Sequence, residues 1–403
     1  MTTPATAPVR RGGLVLLTVA IVFSAASVRA PIVAVAPVAR TIAHDLQVGA
    51  GVVGLLTTIP VLVFAIATPL AVWISRRFGA EFTLALCLAG IVVSVLVRSA
   101  GGLGFALVGT AHLGLFITLG NVIIPVIIAH EYPPQRVATM TSVYTASINL
   151  GTMTVSVATA PLAPHLGWQG AIAVWGAFAI VALVVWSATH GVRAALLPGR
   201  PAVTGTIATA GNRPPAVLRN PVTWFLAIAF GAQSFAYYAI SAWLPSLLAD
   251  NGFAITASGA IAGIFQVFGI AGALLSPLVA RRAGHVVAVL ACVACWVVVL
   301  VGFLVDPGLW WLWCAIGGLG QGTGLTIVIM MIVAFGGGRT AIASRSGAVQ
   351  GVGYIIGAVG PTVIGGVHDA TGAWTLPLVI VLVVVACYGV SASLAGRRLA
   401  AHS

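Results

Sequence analysis

The sequence has no lysine and only six acidic residues among its 403. Charged residues of both signs make up 6% of the chain, against roughly a quarter in an ordinary soluble domain. A soluble fold of this length needs a polar shell that these residues cannot supply. Disordered chains are poor in apolar residues, whereas 60% of this one is apolar, with a mean hydropathy of +1.13. Both classes are excluded, and a polytopic membrane protein remains.

Cysteine is scarce as well. Cys87, Cys292, Cys295, Cys314 and Cys387 all fall inside apolar runs, which leaves no loop-borne disulfide framework. Cys292 and Cys295 spell C-x-x-C, but on an all-apolar helix with no βαβ context the spacing reads as packing rather than redox or metal chemistry. The sequence shows no H-E-x-x-H pair, nucleophile elbow or soluble output domain. An intramembrane enzyme or a receptor is therefore disfavoured, and no cofactor is expected.

What is present is arginine, which supplies all 18 basic residues and a net charge of +12. The arginines stand in ones and twos between apolar runs, so they read as topology signals rather than as a nucleic-acid surface. Cutting at charges and turn residues gives about twelve runs, near 13–39, 49–75, 82–98, 103–129, 137–163, 170–189, 221–248, 255–280, 285–305, 309–335, 342–367 and 374–395. Each is long enough to cross a bilayer core, for which ~20 residues suffice. The first run is too long for a signal peptide and is expected to be retained.

With the N-terminus inside, Arg10, Arg11, Arg76, Arg77, Arg136, Arg193, Arg200, Arg213, Arg219, Arg281, Arg282, Arg339, Arg345, Arg397 and Arg398 fall on the cytoplasmic side. Only Arg40 and Arg98 fall outside. Both termini are thus expected in the cytoplasm, in a plasma (inner) membrane protein. Trp168, Trp243, Trp310, Trp311 and Trp374 gather near the outer interface, as an aromatic belt does.

A Pro- and Gly-rich polar stretch divides the chain into an N-terminal six-helix bundle (1–192), a cytoplasmic linker (193–220) and a C-terminal six-helix bundle (221–403). The halves repeat. A shift of 208 residues aligns Pro37 with Pro245, Gly51 with Gly259, Ala65 with Ala273, Pro69 with Pro277 and Leu70 with Leu278. TPLAVWISRRFG and SPLVARRAG then end the second helix of each half, separated by a short deletion. Six helices per repeat preserve direction across the membrane, which makes the repeats parallel.

Polar groups in hydrocarbon are expensive, so their positions mark surfaces that avoid lipid. The third, sixth, ninth and twelfth runs are almost purely apolar and are expected at the periphery. The first, fourth, seventh and tenth carry Arg29, Asn121, Gln233 and Gln321, and the eighth and eleventh add Gln266, Gln350 and Tyr354. This three-helix period predicts a central polar cavity. Gln233 and Tyr237 share a helix face, as do Gln350 and Tyr354, which suits either cavity lining or hydrogen bonds between helices. His112 in the fourth run is a candidate proton carrier, with simple hydrogen bonding as the alternative. The glycine-dense stretch 347–366 contains G-x-G-x-x-x-G, which without a preceding strand reads as close helix packing.

Arg29 is the sharpest single residue. The apolar segment Leu14 to Val28 would rise only ~22 Å as a helix, so the span must continue through PIVAVAPVA and leave Arg29 inside. No acid lies within a span to pair with it. Its candidate partners are the Ser27 carbonyl, which Pro31 cannot bond, cavity water, and an anionic solute. Arg76, Arg77, Arg281 and Arg282, at equivalent ends of the two repeats, are candidate gating residues that would bond helix-terminal carbonyls or Glu131.

VRAPIVAVAPVARTIAHDL, GNVIIPVIIAHEYPPQRVATMTSVYTASINLG, FGAQSFAYYAISAWLPSLLAD, IFQVFGIAGALLSPL, GGLGQG and GAVQGVGYIIGAVGPTVIGGVHDATGAWTLP together resemble the cyanate/nitroimidazole (CynX/NimT) family of the major facilitator superfamily. The resemblance covers nearly the whole chain. It implies the all-α major facilitator fold of twelve transmembrane helices, alternating access, and a small solute, often anionic, carried by a monomer. Arg29, Asn121, Tyr144, Gln233, Tyr238, Gln266, Gln321, Gln350 and Tyr354 stand within these motifs. Two departures are plain: Arg76 occupies the usual acidic position of the loop after the second helix, and Ala30 separates Arg29 from Pro31. Proton-coupled efflux of drugs or nitroheterocycles is the alternative within transport. Against it, the fifth run has Ala160-Pro161 where drug antiporters resemble G-P-x-x-G-G, and no membrane carboxylate is available for a coupling proton.

Overall fold

A computed structural model describes residues 11–193, 197, 219–335 and 338–400. The described residues form helices and short turns only. The first crossing is not one helix. It runs as α1 (Arg11–Ser27), α2 (Ala30–Val33), a 3-10 turn at Ala36–Val38 and α3 (Ala39–Leu46), within a single apolar span Leu14–Leu46. Pro31 and Pro37 explain the interruptions, since neither can donate a backbone hydrogen bond to the preceding turn. Arg29 sits at the first break with φ −127° and ψ −37°.

The remaining helices of the first half are α4 (Ala50–Phe78), α5 (Ala80–Arg98), α6 (Leu103–Glu131), α7 (Pro134–Ala173) and α8 (Gly176–His190). The second half holds α9 (Pro221–Asp250), α10 (Ile255–Ala283), α11 (His285–Val305), α12 (Trp310–Ala334), α13 (Gly338–Ala358), α14 (Gly360–Thr371) and α15 (Thr375–Ala400). Among the described residues ten spans are long and apolar enough to cross a membrane, and the bent pair α7–α8 is additional. Gly167, with φ 67° and ψ 168°, interrupts α7. Divided there, α7 and α8 cover the fifth and sixth apolar runs over 134–166 and 168–190, an arrangement consistent with twelve crossings. The sixth is itself bent at residues 174–175, a break its apolar run did not announce. The expected linker falls almost wholly outside the described residues.

The internal repeat is visible in backbone geometry. α4 ends at Gly79 (φ 86°, ψ 168°) and α10 ends at Gly284 (φ 87°, ψ 161°), each after a pair of arginines. The two glycines are 205 positions apart, three fewer than the 208-residue shift, so the deletion lies inside the last turns of α10. A positive φ at the end of the helix turns the chain directly into the next crossing, and glycine adopts it without strain.

Apolar side chains exposed to the surroundings line α5 (Val93, Leu96), α8 (Ile180, Val184), α11 (Leu290, Val298) and α15 (Val383, Val390), the four helices expected at the periphery. α4 packs on α13 and α14, and α7 packs on α10, so these helices join the halves. The halves close together at the face remote from the termini. There Arg40 pairs with Asp250, the Gly51 N–H donates to Asp369 at 2.8 Å, and Thr58 and Thr362 share a hydrogen bond of 2.8 Å. Trp374 Nε1 also donates to Asp250 at 2.8 Å. The glycines of α4 and α14 permit this approach: a Cβ on Gly54 would lie 2.8 Å from the Pro361 carbonyl oxygen.

Candidate functional site

The break in the first crossing brings Arg29 to the boundary between the halves. Its Nη1 donates a 2.7 Å hydrogen bond to the Tyr238 hydroxyl on α9. The guanidinium also stands 6.0 Å from the centre of the Tyr238 ring. Tyr237 and Tyr354 lie within electrostatic reach of it, as does Tyr144. Four of the chain's six tyrosines therefore surround one arginine. Arg29 is half-buried. Of the candidate partners read from the sequence, the Ser27 carbonyl is the one protein group, and the phenol of Tyr238 takes its place.

Tyr354 is held from both sides. Its ring meets Phe64 of α4 edge-on at 6.2 Å and Phe230 of α9 at 5.1 Å. Aromatic rings prefer such edge-to-face contacts, and this pair fixes the Tyr354 ring between the halves. Tyr237 packs edge-on against Tyr238 at 5.1 Å, and Gln266 of α10 lies beside the Tyr237 hydroxyl. Asn121 is half-buried on α6, next in sequence to Gly120, which packs closely on Val28. Gln350, half-buried on α13, donates to Ser346 at 2.7 Å. Gln321 is half-buried, and its carboxamide covers the bare backbone of Gly269.

Gln233 departs from the cavity expectation. Its Nε2 donates to the Gln321 carbonyl at 3.0 Å, and its Oε1 accepts from Trp296 Nε1 at 3.1 Å. The side chain is 2% exposed and lies over Gly324. Both ends of the amide are used to join α9, α11 and α12, so Gln233 links helices inside the second half instead of lining the site. His112 behaves similarly. Its Nδ1 shares a 2.9 Å hydrogen bond with Ser94 of α5, and its ring sits edge-on to Phe116. This ties α6 to its peripheral neighbour.

The expected gating arginines lie at the face near the termini. Arg77, Arg281 and Arg282 are exposed there, while Arg76 and Glu131 are half-buried. The closure present in this structure is on the opposite face, carried by Arg40, Asp250 and Asp369; of these the sequence reading used only Arg40, as a topology marker. Arg98 was also read as a topology marker. It is fully buried and donates to the Pro31 carbonyl at 2.8 Å.

This arrangement is a fold with known relatives. A family model described as Major Facilitator Superfamily matches residues 15–361. The chain belongs to that superfamily. It is 32% identical over 384 residues to the uncharacterized transporter YycB of Bacillus subtilis (strain 168), covering 94% of this chain and 92% of that protein. It is 31% identical over 390 residues to the 2-nitroimidazole transporter of Escherichia coli (strain K12), covering 95% and 96% respectively. The cyanate transport protein CynX of the same strain is 26% identical over 333 residues, with 81% and 83% covered. These relatives bear out the resemblance to the cyanate/nitroimidazole family. Among solved structures, a bacterial homolog of the human lysosomal transporter Spinster superposes with a TM-score of 0.74 at 16% identity, covering 98% of each chain. That likeness speaks for the fold.

Proposed function

We propose that this chain moves a small, planar, anionic or electron-rich solute across the plasma membrane by alternating access, and that Arg29 binds the solute's charge. That the chain is a membrane transporter follows from its family; the solute, the cycle and the site are the proposal. One observation carries it: the guanidinium of Arg29, at the boundary of the halves, is bonded to the Tyr238 hydroxyl and ringed by tyrosines. The chain's six carboxylates stand at the ends of the spans or beyond them, and none is among the groups acting on Arg29. An uncompensated cation in this setting is costly, and a bound anion offsets that cost. A planar acceptor meets the planar donor fork of arginine in a two-pronged arrangement, while the tyrosine rings offer flat apolar contact. The 2-nitroimidazole and cyanate carried by the named relatives fit this chemistry.

In this reading the halves 1–192 and 221–403 rock about the site as units, with Arg-rich loops and both termini in the cytoplasm. Asn121, Tyr144, Tyr237, Gln266, Gln321 and Gln350 complete the lining around Arg29, Tyr238 and Tyr354. The distal contacts of Arg40 and Asp369 open when Arg76, Arg77, Arg281 and Arg282 close the other face. A coupling proton would have to be carried outside the site, because no carboxylate stands beside Arg29. The protein works as a monomer, as each chain contains a whole site.

The test is thermal stabilisation of purified protein by 2-nitroimidazole, cyanate, nitrite and benzoate, with a neutral sugar and an organic cation as controls. A specific ligand at a hundredfold excess over its Kd stabilises by about 2.7 kcal/mol. Stabilisation by a control compound, with none from the four planar probes, would refute the proposal.

A further inference from the structure

Arg98 ends α5 and has no exposed surface. Its Nη1 donates to the Pro31 carbonyl, while Nε and Nη2 have no hydrogen-bond partner among the described residues. That carbonyl is free because the first crossing is broken. In a continuous helix it would accept from the Val35 N–H four residues on; here Val35 donates to Ile32 at 3.5 Å. The approach of α5 also needs Gly109 on α6, where any Cβ would collide with the Arg98 backbone. Replacing a buried, under-satisfied charge by an apolar side chain of similar size is often neutral or stabilising. Stability alone therefore gives no reason for an arginine here.

Pro31 lies two residues beyond Arg29, and the Arg29 carbonyl itself accepts from Ile32 and Val33. Holding Pro31 therefore holds the turn that aims Arg29. We propose that Arg98 is a positioning residue that fixes the broken segment 28–35 so that the Arg29 guanidinium points across the boundary to Tyr238. The proposal rests on the reading of Arg29 as the solute-binding group.

The experiment compares wild type with Arg98→Met, which keeps length but removes the donor, and Arg98→Lys, which retains one. Arg98→Gln serves as a second uncharged variant should the first not fold. Amide hydrogen exchange is followed in peptides covering 28–38 and 285–305, and binding of 2-nitroimidazole is measured on the same samples. In Arg98→Met, exchange within 28–38 should quicken about tenfold, the equivalent of one lost buried hydrogen bond, with 285–305 unchanged. The Kd for 2-nitroimidazole should rise by a similar factor, and Arg98→Lys should restore both to within about threefold. Identical exchange in all the proteins, or wild-type affinity in Arg98→Met, would overturn the proposal. If wild type itself binds no 2-nitroimidazole, that solute reading is at fault, and the exchange result decides the role of Arg98 alone.

Discussion

A single methyl group added at Gly54 should open the face remote from the termini. The Cβ of Gly54→Ala would lie 2.8 Å from the Pro361 oxygen and 2.9 Å from the Thr362 Cα, both backbone atoms of the opposite half. Neither can swing aside as a flexible side chain would, so α4 and α14 must separate. Overpacking of this kind costs about 1–3 kcal/mol. That shifts the balance between closed and open distal faces by a factor of roughly 5 to 160. The comparison is Arg40→Ala, which removes an ion pair whose partners are 41% and 34% exposed. Such pairs contribute only about 0.2–1 kcal/mol, so its effect should be several times smaller. Spin labels at His44 and Ala370, exposed positions in different halves, report the distal separation in a background with Cys295 and Cys387 replaced by alanine. Gly54→Ala should broaden and lengthen that distance distribution well beyond Arg40→Ala. An unchanged distribution in Gly54→Ala would refute the claim that bare backbone contact, rather than charge, holds the halves together there.

Three further outcomes are expected. Tyr238→Phe keeps the ring and removes the partner of Arg29, so solute affinity should fall about three- to tenfold with the melting temperature nearly unchanged. Gln233→Leu should do the reverse, leaving the Trp296 N–H without its acceptor and lowering stability by about 1–3 kcal/mol, while the folded protein binds with near-normal affinity. His112→Gln should leave the pH profile of transport in proteoliposomes unaltered, since the imidazole is bonded to Ser94 away from Arg29; a shifted profile would restore it as a proton carrier.

The crossings, the repeat and the peripheral helices were legible in the sequence because each depends on local composition: charges end spans, and apolar runs face lipid. Arg29 was legible for the same reason, as a charge in the middle of a span. Its partner was not. Tyr238 lies 209 residues away, and nothing in either segment says which phenol the break at Pro31 will face. Gln233 shows the complementary limit. A polar group within a span avoids lipid, but whether it turns to a cavity or to a neighbour depends on Trp296, which sits in a run that otherwise reads as purely apolar. Arg98 and Arg40 looked alike at the ends of outer loops. One is buried against the Pro31 carbonyl and the other bridges the halves, a difference made by packing alone.

The central claim is that Arg29 recognises the solute, and it is tested most directly by measuring melting temperature and solute affinity on one purified preparation of Arg29→Ala. A charge-assisted hydrogen bond contributes about 1.5–3 kcal/mol, so affinity should fall roughly ten- to hundredfold while the protein remains folded. Arg29→Lys should recover little of it, because an ammonium lacks the planar fork. A folded Arg29→Ala protein that binds its solute with wild-type affinity would contradict the account.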